Sequence, residues 1–391
     1  MKKEVQIGEV VEINPKIPKI LLKKQNEVVS FVPMAGVSEE GTLTFSEEKN
    51  LVEVRKGYTY FEKGDLLIAK ITPCFENGKA VFVNNLPHPV GFGSTEFHVL
   101  RPSTDIDSKY LFYFIHNPAF RFIGQHNMTG TAGQKRLPVD FLKRYKIPLP
   151  PIPEQKRIAA ILDKANAIRR KRHQAIQLAD EFLRSVFLDM FGDPAINPKG
   201  WQRKKIRQLG KVVTGNTPSR QIPENFGDHI EWIKSDNINT PSHILTRAKE
   251  ALSVAGEKLG RTVPANSTLV TCIAGTPECI GNPALTDRKV AFNQQINAIV
   301  PFDNVDPYFL YMLVTISKSI IQRASTNSMK GMVSKGIFQE IELIFPPYNL
   351  QKKFGSYFYA YLNYLDKQEL QLKESDNLFN SLCQNAFRGE L

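Results

Sequence analysis

The sequence predicts an α+β protein with mixed α/β globules. Two globular domains are separated by two long helices, packed as an antiparallel coiled coil, and the whole is a pseudo-twofold repeat. Three observations lead there. The first is an internal repeat that needs no gap. Pro150, Pro151, Gln155, Lys156, Ser185 and Phe191 fall on Pro346, Pro347, Gln351, Lys352, Ser381 and Phe387, and Ile158 falls on Phe354. The second is heptad spacing inside both copies of the repeat. The third is the recurrence of short strand-like runs and one apolar helix in each segment outside the repeat. A unit repeated once gives a molecule with pseudo-twofold symmetry.

The repeat sets the boundaries at 1–149, 150–192, 193–345 and 346–391. In the first globule Asp65-Leu66-Leu67-Ile68-Ala69 and Ala80-Val81-Phe82-Val83 read as strands, each after a glycine turn. A helix is expected over Ser108–His116, with Tyr110, Leu111, Phe114 and Ile115 on one face, and Asn117-Pro118 interrupts or ends it. The second globule repeats this plan. Leu269-Val270-Thr271-Cys272-Ile273 matches the first strand, and Asn304–Leu310 matches the approach to the helix. A mixed α/β domain with a curved sheet is expected for each globule.

In the first helix Ile158, Ile161, Ala165, Ile168, Arg172, Ala175, Ala179, Phe182 and Val186 are spaced three and four apart, which is a heptad seam. In the second, Phe354, Tyr357, Tyr361, Tyr364, Gln368, Gln371, Leu378 and Leu382 form one stripe. Phe358, Leu362, Leu365, Leu372 and Phe379 form its neighbour. Neither helix can bury such a stripe alone, so the two are expected to pair. Arg172 and Gln368 are repeat equivalents near the midpoints, and an antiparallel pair would set them opposite each other as a polar register pin. About 36 residues give about 54 Å of helix.

Net charge is +12 over 391 residues, so a polyanionic partner is plausible. Four scattered cysteines fit a reducing cytosol rather than a disulfide framework. No apolar region follows Lys2, Lys3 and Glu4, so no signal peptide is read. The apolar run Phe309–Ile316 is too short to span a membrane.

Catalytic patterns are wanting. Phe345-Pro346-Pro347-Tyr348 has the outline of an amino-methyltransferase loop, but Phe345 cannot accept a hydrogen bond from a base. Gly91-Phe92-Gly93 lacks the third glycine of a cofactor loop. Glu47-Glu48-Lys49 has no preceding aspartate to complete a metal-nuclease set. Cys272 and Cys279 are too far apart for a zinc knuckle, and no metal site is expected.

Polar, basic segments follow the last apolar helix of each globule. Gln125, Asn127, Thr129, Thr131, Gln134, Lys135 and Arg136 lie in the first; Arg323, Ser325, Asn327 and Lys330 lie in the second. Gln, Asn and Arg suit base edges, and Ser, Thr and Lys suit phosphates. Asn216, Ser219 and Arg220 form a further candidate cluster, beside Lys234–Asn237 and Asn293–Gln295. The run Arg169–His173 in the first helix could face phosphate, solvent or another protein.

Taken together, these residues resemble the specificity subunit of a Type I restriction-modification enzyme. The likeness rests on Ile147–Ile158, on Met190–Pro194 with Asn197–Trp201, on Ala386–Leu391, and on Leu209–Val212 with Gly215–Ser219. Tyr348-Asn349-Leu350 departs from it, replacing an acidic Pro-Glu start to the helix. The resemblance implies two target recognition domains (1–149 and 193–345) and two conserved helical regions (150–192 and 346–391). Each recognition domain would read half of a split site in double-stranded DNA. The helices would set the gap and dock two modification subunits. Those partners would use S-adenosylmethionine to methylate adenine, and restriction subunits would use ATP and Mg to translocate and cut. This chain would be non-catalytic, bind no cofactor, need no membrane and act in the cytoplasm. A free-standing DNA-binding regulator that dimerises through its coiled coil is the alternative.

Overall fold

The computed structural model describes residues 4–24, 26–131, 133–325 and 331–391. Two compact units emerge, one of Met1–His173 with Leu370–Leu391 and the other of Gln174–Glu369.

A strand covered on both faces needs apolar residues at successive positions, and Leu66–Ala69 supplies them. Leu66 and Ile68 enter a core shared with helices, while Leu67 and Ala69 enter a core against a second sheet. The first sheet of this unit runs Val11–Ile13, Phe97–Pro102, Leu66–Ala69, Ala80–Phe82, all antiparallel. The second runs Glu47–Asn50, Val28–Val32, Val90–Gly93, Thr59–Glu62, with its middle pair parallel. A two-stranded ribbon, Glu4–Gln6 with Lys146–Pro148, closes the globule. The single curved sheet expected is thus replaced by two small sheets. The alternating cores on either side of Leu66–Ala69 are the physical reason.

The second unit repeats this order. Its first sheet runs Gly210–Thr214, Ile296–Pro301, Thr268–Thr271, Pro283–Leu285. Its second centres on the parallel pair Ile230–Ile233 and Val290–Phe292. The ribbon is Arg203–Lys205 with Glu342–Ile344. Leu269 and Val270 again face different cores.

Helices cap both units at equivalent places. Ser108–His116 forms where expected, because Asp107 accepts from the amides of Lys109 and Tyr110. Asn117 ends it and caps the next helix, Pro118–His126. In the second unit Asp306 caps Pro307–Ile316 in the same way.

The two Pro-Pro elements lead into helices of 40 and 41 residues, Ile152–Phe191 and Tyr348–Arg388. Within the first unit the helical segments run antiparallel. Arg157 reaches the Leu391 carbonyl at 2.7 Å, Arg169 pairs with Asp376 at 2.6 Å, and Arg172 donates to Gln371. The polar contact of Arg172 is therefore made with Gln371, one turn along from Gln368. In the second unit Phe187 meets Phe354 at 5.2 Å between ring centroids, and His243 bridges the two helices, bonding Asp180 at 2.8 Å and packing its ring on Tyr361 at 5.5 Å.

The buried stripe follows the expected seam in part. Ile158, Phe354 and Tyr361 of the seam and Phe358 and Phe379 of its neighbour are buried, but Leu162, Leu183 and Phe187 are buried outside it, and Ile168, Phe182 and Leu378 are 50%, 69% and 58% exposed. Globule helices select the buried face. Tyr113 packs on Phe379, and Phe309 packs on Phe187 and Phe191. Each helix segment therefore turns toward its partner helix and its globule at once.

One contact fixes that orientation in both units. Gln155 is fully buried, accepts from the Asp107 amide at 2.7 Å, and donates to the carbonyls of Pro150 and Asp105 at 2.8 and 3.0 Å. Gln351 accepts from the Asp306 amide at 3.2 Å and donates to Pro346 at 2.8 Å. Replacing Gln155 by alanine strands three backbone groups, at a cost of roughly 2–4 kcal/mol. The Gln351→Ala change should cost less, since it makes fewer of these bonds. Thermal unfolding followed by circular dichroism checks both, with equal shifts counting against this assignment.

Candidate nucleic-acid interface

Backbone hydrogen bonds bring loops together at the same end of each unit. In the first, Ser94 donates to Val32 at 3.2 Å, Lys70 to Glu96 at 2.8 Å, and Leu137 to Lys70 at 2.8 Å. In the second, Asn293 donates to Ile233 at 3.0 Å, Cys272 to Gln295 at 2.8 Å, and Val333 to Cys272 at 2.9 Å. The two sets correspond bond for bond. They gather a loop between the parallel strands and their neighbours, a loop after the central strand, and the polar segment before the long helix.

In the first unit that polar segment is a hairpin. Thr129 and Arg136 exchange backbone bonds of 3.0 and 2.8 Å, and Gln134 closes a turn onto Thr131 at 3.0 Å. Gly130 has φ 126°, and a Cβ there would stand 2.8 Å from the Gln134 carbonyl, so the turn requires glycine. The Lys135 carbonyl accepts from Thr72, which pins the hairpin to the loop after the central strand. Gln125, Asn127, Thr129, Thr131, Gln134, Lys135 and Arg136 are all exposed. Asn127 turns its amide back to the Ile123 carbonyl at 2.8 Å. Arg136 forms a forked pair with Glu96, at 2.8 Å for its closest contact. That bond holds the Glu96 carboxyl below the usual carboxylate range and raises the guanidinium.

In the second unit the bridge between Ile273 and Met332 matches that between Ile71 and Arg136. Arg323 is exposed and bonds the Ser319 carbonyl at 3.3 Å; Ser325 is half-buried. Asn327 and Lys330 lie outside the described residues. The other polar clusters converge on this end: Thr217 bonds Gln294, Ser235 meets Gln295 at 3.4 Å, and Asn293 donates to Gln295 at 2.9 Å.

Two candidates are committed to internal bonds. Asn216 donates to the Leu259 carbonyl and accepts from the Arg261 amide, both at 2.8 Å, so it fastens two segments together. Arg220 lies over the rings of Phe226 and Trp232 at 5.0 and 5.3 Å and pairs with Glu250 at 2.7 Å. Lys234 shares that carboxylate, and these hydrogen bonds pull the Glu250 carboxyl down. Ser219 is exposed, and its carbonyl accepts from Asn225 at 3.0 Å.

Lys70 and Glu96 were not among the sequence candidates. A signal existed: Gly93-Ser94-Thr95-Glu96-Phe97 occupies the place of Phe292-Asn293-Gln294-Gln295-Ile296 between corresponding strands. Among the described residues no cluster of His, Cys, Asp or Glu could hold a metal ion, and no helix is long and apolar enough to cross a membrane.

The long helices carry a second surface. In the second unit Phe182, Val186, Met190, Tyr357 and Tyr364 line an apolar groove of about 770 Å³. In the first unit Ile168 and Leu378 stand exposed on the equivalent face.

Residues 2–178 and 198–374 both match the sequence family described as the Type I restriction modification DNA specificity domain. The two matches are offset by the spacing of the internal repeat. The chain belongs to this family. It is 43% identical over 162 residues to the Type I restriction enzyme EcoEI specificity subunit of Escherichia coli, covering 41% of this chain and 27% of that protein. It is 46% identical over 152 residues to the EcoAI specificity subunit of the same species, covering 38% and 25%. The matched stretches thus span about a quarter of these relatives. The fold is similar to the solved Type-I restriction-modification system S subunit from M. genitalium, with TM-score 0.56, 12% identity, and 98% and 96% of the two chains covered.

Arg136 is exposed, so solvent screens the Glu96–Arg136 pair and its net contribution to stability is small. Because the folded Glu96 carboxyl titrates below its ordinary range, that contribution is complete above this range and fades as pH falls through the lowered value. The Glu96→Gln protein should therefore keep its global stability while the Arg136 amide exchanges faster. Hydrogen exchange at neutral pH, with Leu67 as an unchanged control, measures this.

Proposed function

We propose that each unit reads one half of a bipartite site in double-stranded DNA through its loop cluster. The chain would thereby act as the specificity subunit of a Type I restriction-modification system. The observation that carries this reading is the bond-for-bond duplication of the loop platform in two units of one chain. An exposed hairpin tip with Gln134 and Lys135 offers both amide donors for a base edge and a cation for phosphate. The Glu96 pairing presets Arg136, so less side-chain freedom is lost on binding. Glu96 itself can accept from a cytosine amino group.

The long helices would serve as the ruler between half-sites. Their exposed apolar faces, one in each unit, would dock two modification subunits, with restriction subunits joining that core. Adenine methylation with S-adenosylmethionine, and DNA cleavage with ATP and Mg, would reside in those partners. The compartment proposed is the cytoplasm.

Alanine at both Lys135 and Arg136 should weaken recognition of one half-site only. A lost base contact costs roughly 1–3 kcal/mol, whereas a lost phosphate contact weakens all sequences alike. Methylation mapping of the complex with its modification subunits distinguishes these, and unaltered binding removes the hairpin from the interface. Deleting one heptad from each helix shortens each by about 10 Å. The preferred gap should shrink while both half-sites keep their sequence, and an unchanged gap would falsify the ruler.

A further inference from the structure

Arg121, on the helix Pro118–His126, is half-buried. Its Nε is buried without a hydrogen-bond partner, and its guanidinium makes no ion pair among the described residues. A Cβ on Gly78 would stand 2.5 Å from Nη1, so the glycine admits the side chain to this place.

Arg121 opens onto a cavity of about 200 Å³ that Asn166, Arg169, His173 and Asn380 also line. Arg169 is already paired with Asp376 at 2.6 Å. The other charges are accounted for. Burial holds His116 near a pKa of about 4, so it is neutral at pH 7. Glu39 and Glu40 sit at the exposed rim, where Glu39 accepts from Asn77 at 2.7 Å. Neither carboxylate pairs with Arg121. Burial, and then the positive charge of Arg169, press the Arg121 guanidinium below its ordinary value. A desolvated cation beside another cation, with no acceptor, is unfavourable unless an anion completes it.

The geometry points to a binding site for one small oxyanion of the phosphate or sulfate class. Arg121 supplies the charge, and Asn166, Asn380 and His173 supply further donors. A guanidinium fork matches two oxygens of such an ion. The site goes beyond the DNA reading and does not depend on it. The same chemistry could come from a free ion or from a nucleic-acid phosphate.

Calorimetric titration of the full chain with inorganic phosphate should show one saturable site. The Arg121→Gln protein should bind at least tenfold more weakly, and Arg121→Lys should fall between. Thermal unfolding in phosphate-free buffer guards against misfolding: Arg121→Gln should melt no lower than the parent, because an uncompensated charge has gone. Phosphate should raise the melting temperature of the parent alone. A parallel arm adds duplex DNA. If a DNA phosphate occupies the site, duplex displaces inorganic phosphate, and Arg121→Gln lowers the salt slope of DNA binding by about 0.9. If a free ion occupies it, phosphate stays bound beside DNA and the slope is unchanged. Both outcomes support the site. Equal phosphate binding by parent and Arg121→Gln overturns it. So does the absence of saturable phosphate binding together with an unaltered salt slope.

Discussion

A buried glutamine at the start of each long helix is the constraint on which the architecture rests. Gln155 and Gln351 each join a helix-capping aspartate's amide to the carbonyl of the first Pro-Pro residue. Two elements distant in the sequence are thereby locked together: the globule's apolar helix and the long helix. Buried amides are costly to leave unpaired, so the side chain tolerates only one arrangement of these elements. That arrangement turns Phe187 and Phe191 toward Phe309 in one unit, and Phe379 toward Tyr113 in the other.

The clamp also explains why polar candidates behave differently from one another. Loops that the scaffold gathers at one end need bonds to hold them there before they can meet anything else. Asn216 and Arg220 perform that local work, fastening segments and stacking on Trp232. Gln134 and Lys135 sit on a hairpin held by backbone bonds to Thr131 and Thr72, and both residues are exposed. Arg136 lies between these cases: it is held by Glu96, yet exposed.

The elements legible in the sequence were those in which local and long-range signals agree. The helix Ser108–His116 combines a capping aspartate with a clean apolar face, so both its ends could be read. The repeat exposed Gln155 and Gln351 as equivalents, although their role needs the fold to see. The helix seam departs from the expected one at Ile168, Phe182 and Leu378, because each long helix carries adjacent apolar stripes. Periodicity cannot say which one the globule covers. Ile168 and Phe182 belong to the uncovered stripe. Among the loop residues, amide and guanidinium side chains suit both base edges and neighbouring carbonyls, so composition alone does not separate Asn216 from Gln134. Glu96 carries no such signal in composition, because DNA-binding patterns are patterns of cations and amides, not of the carboxylate that orients one.

The uncovered stripe has a consequence for the life of the polypeptide in a cell. Contiguous apolar surface exposed to water promotes clumping whenever nothing covers it. If the proposed modification subunits are that cover, copies made in excess of them would be prone to precipitate or to be cleared by quality-control proteases. On that proposal, balanced synthesis of chain and partner would be a requirement imposed by Phe182, Tyr364 and their neighbours.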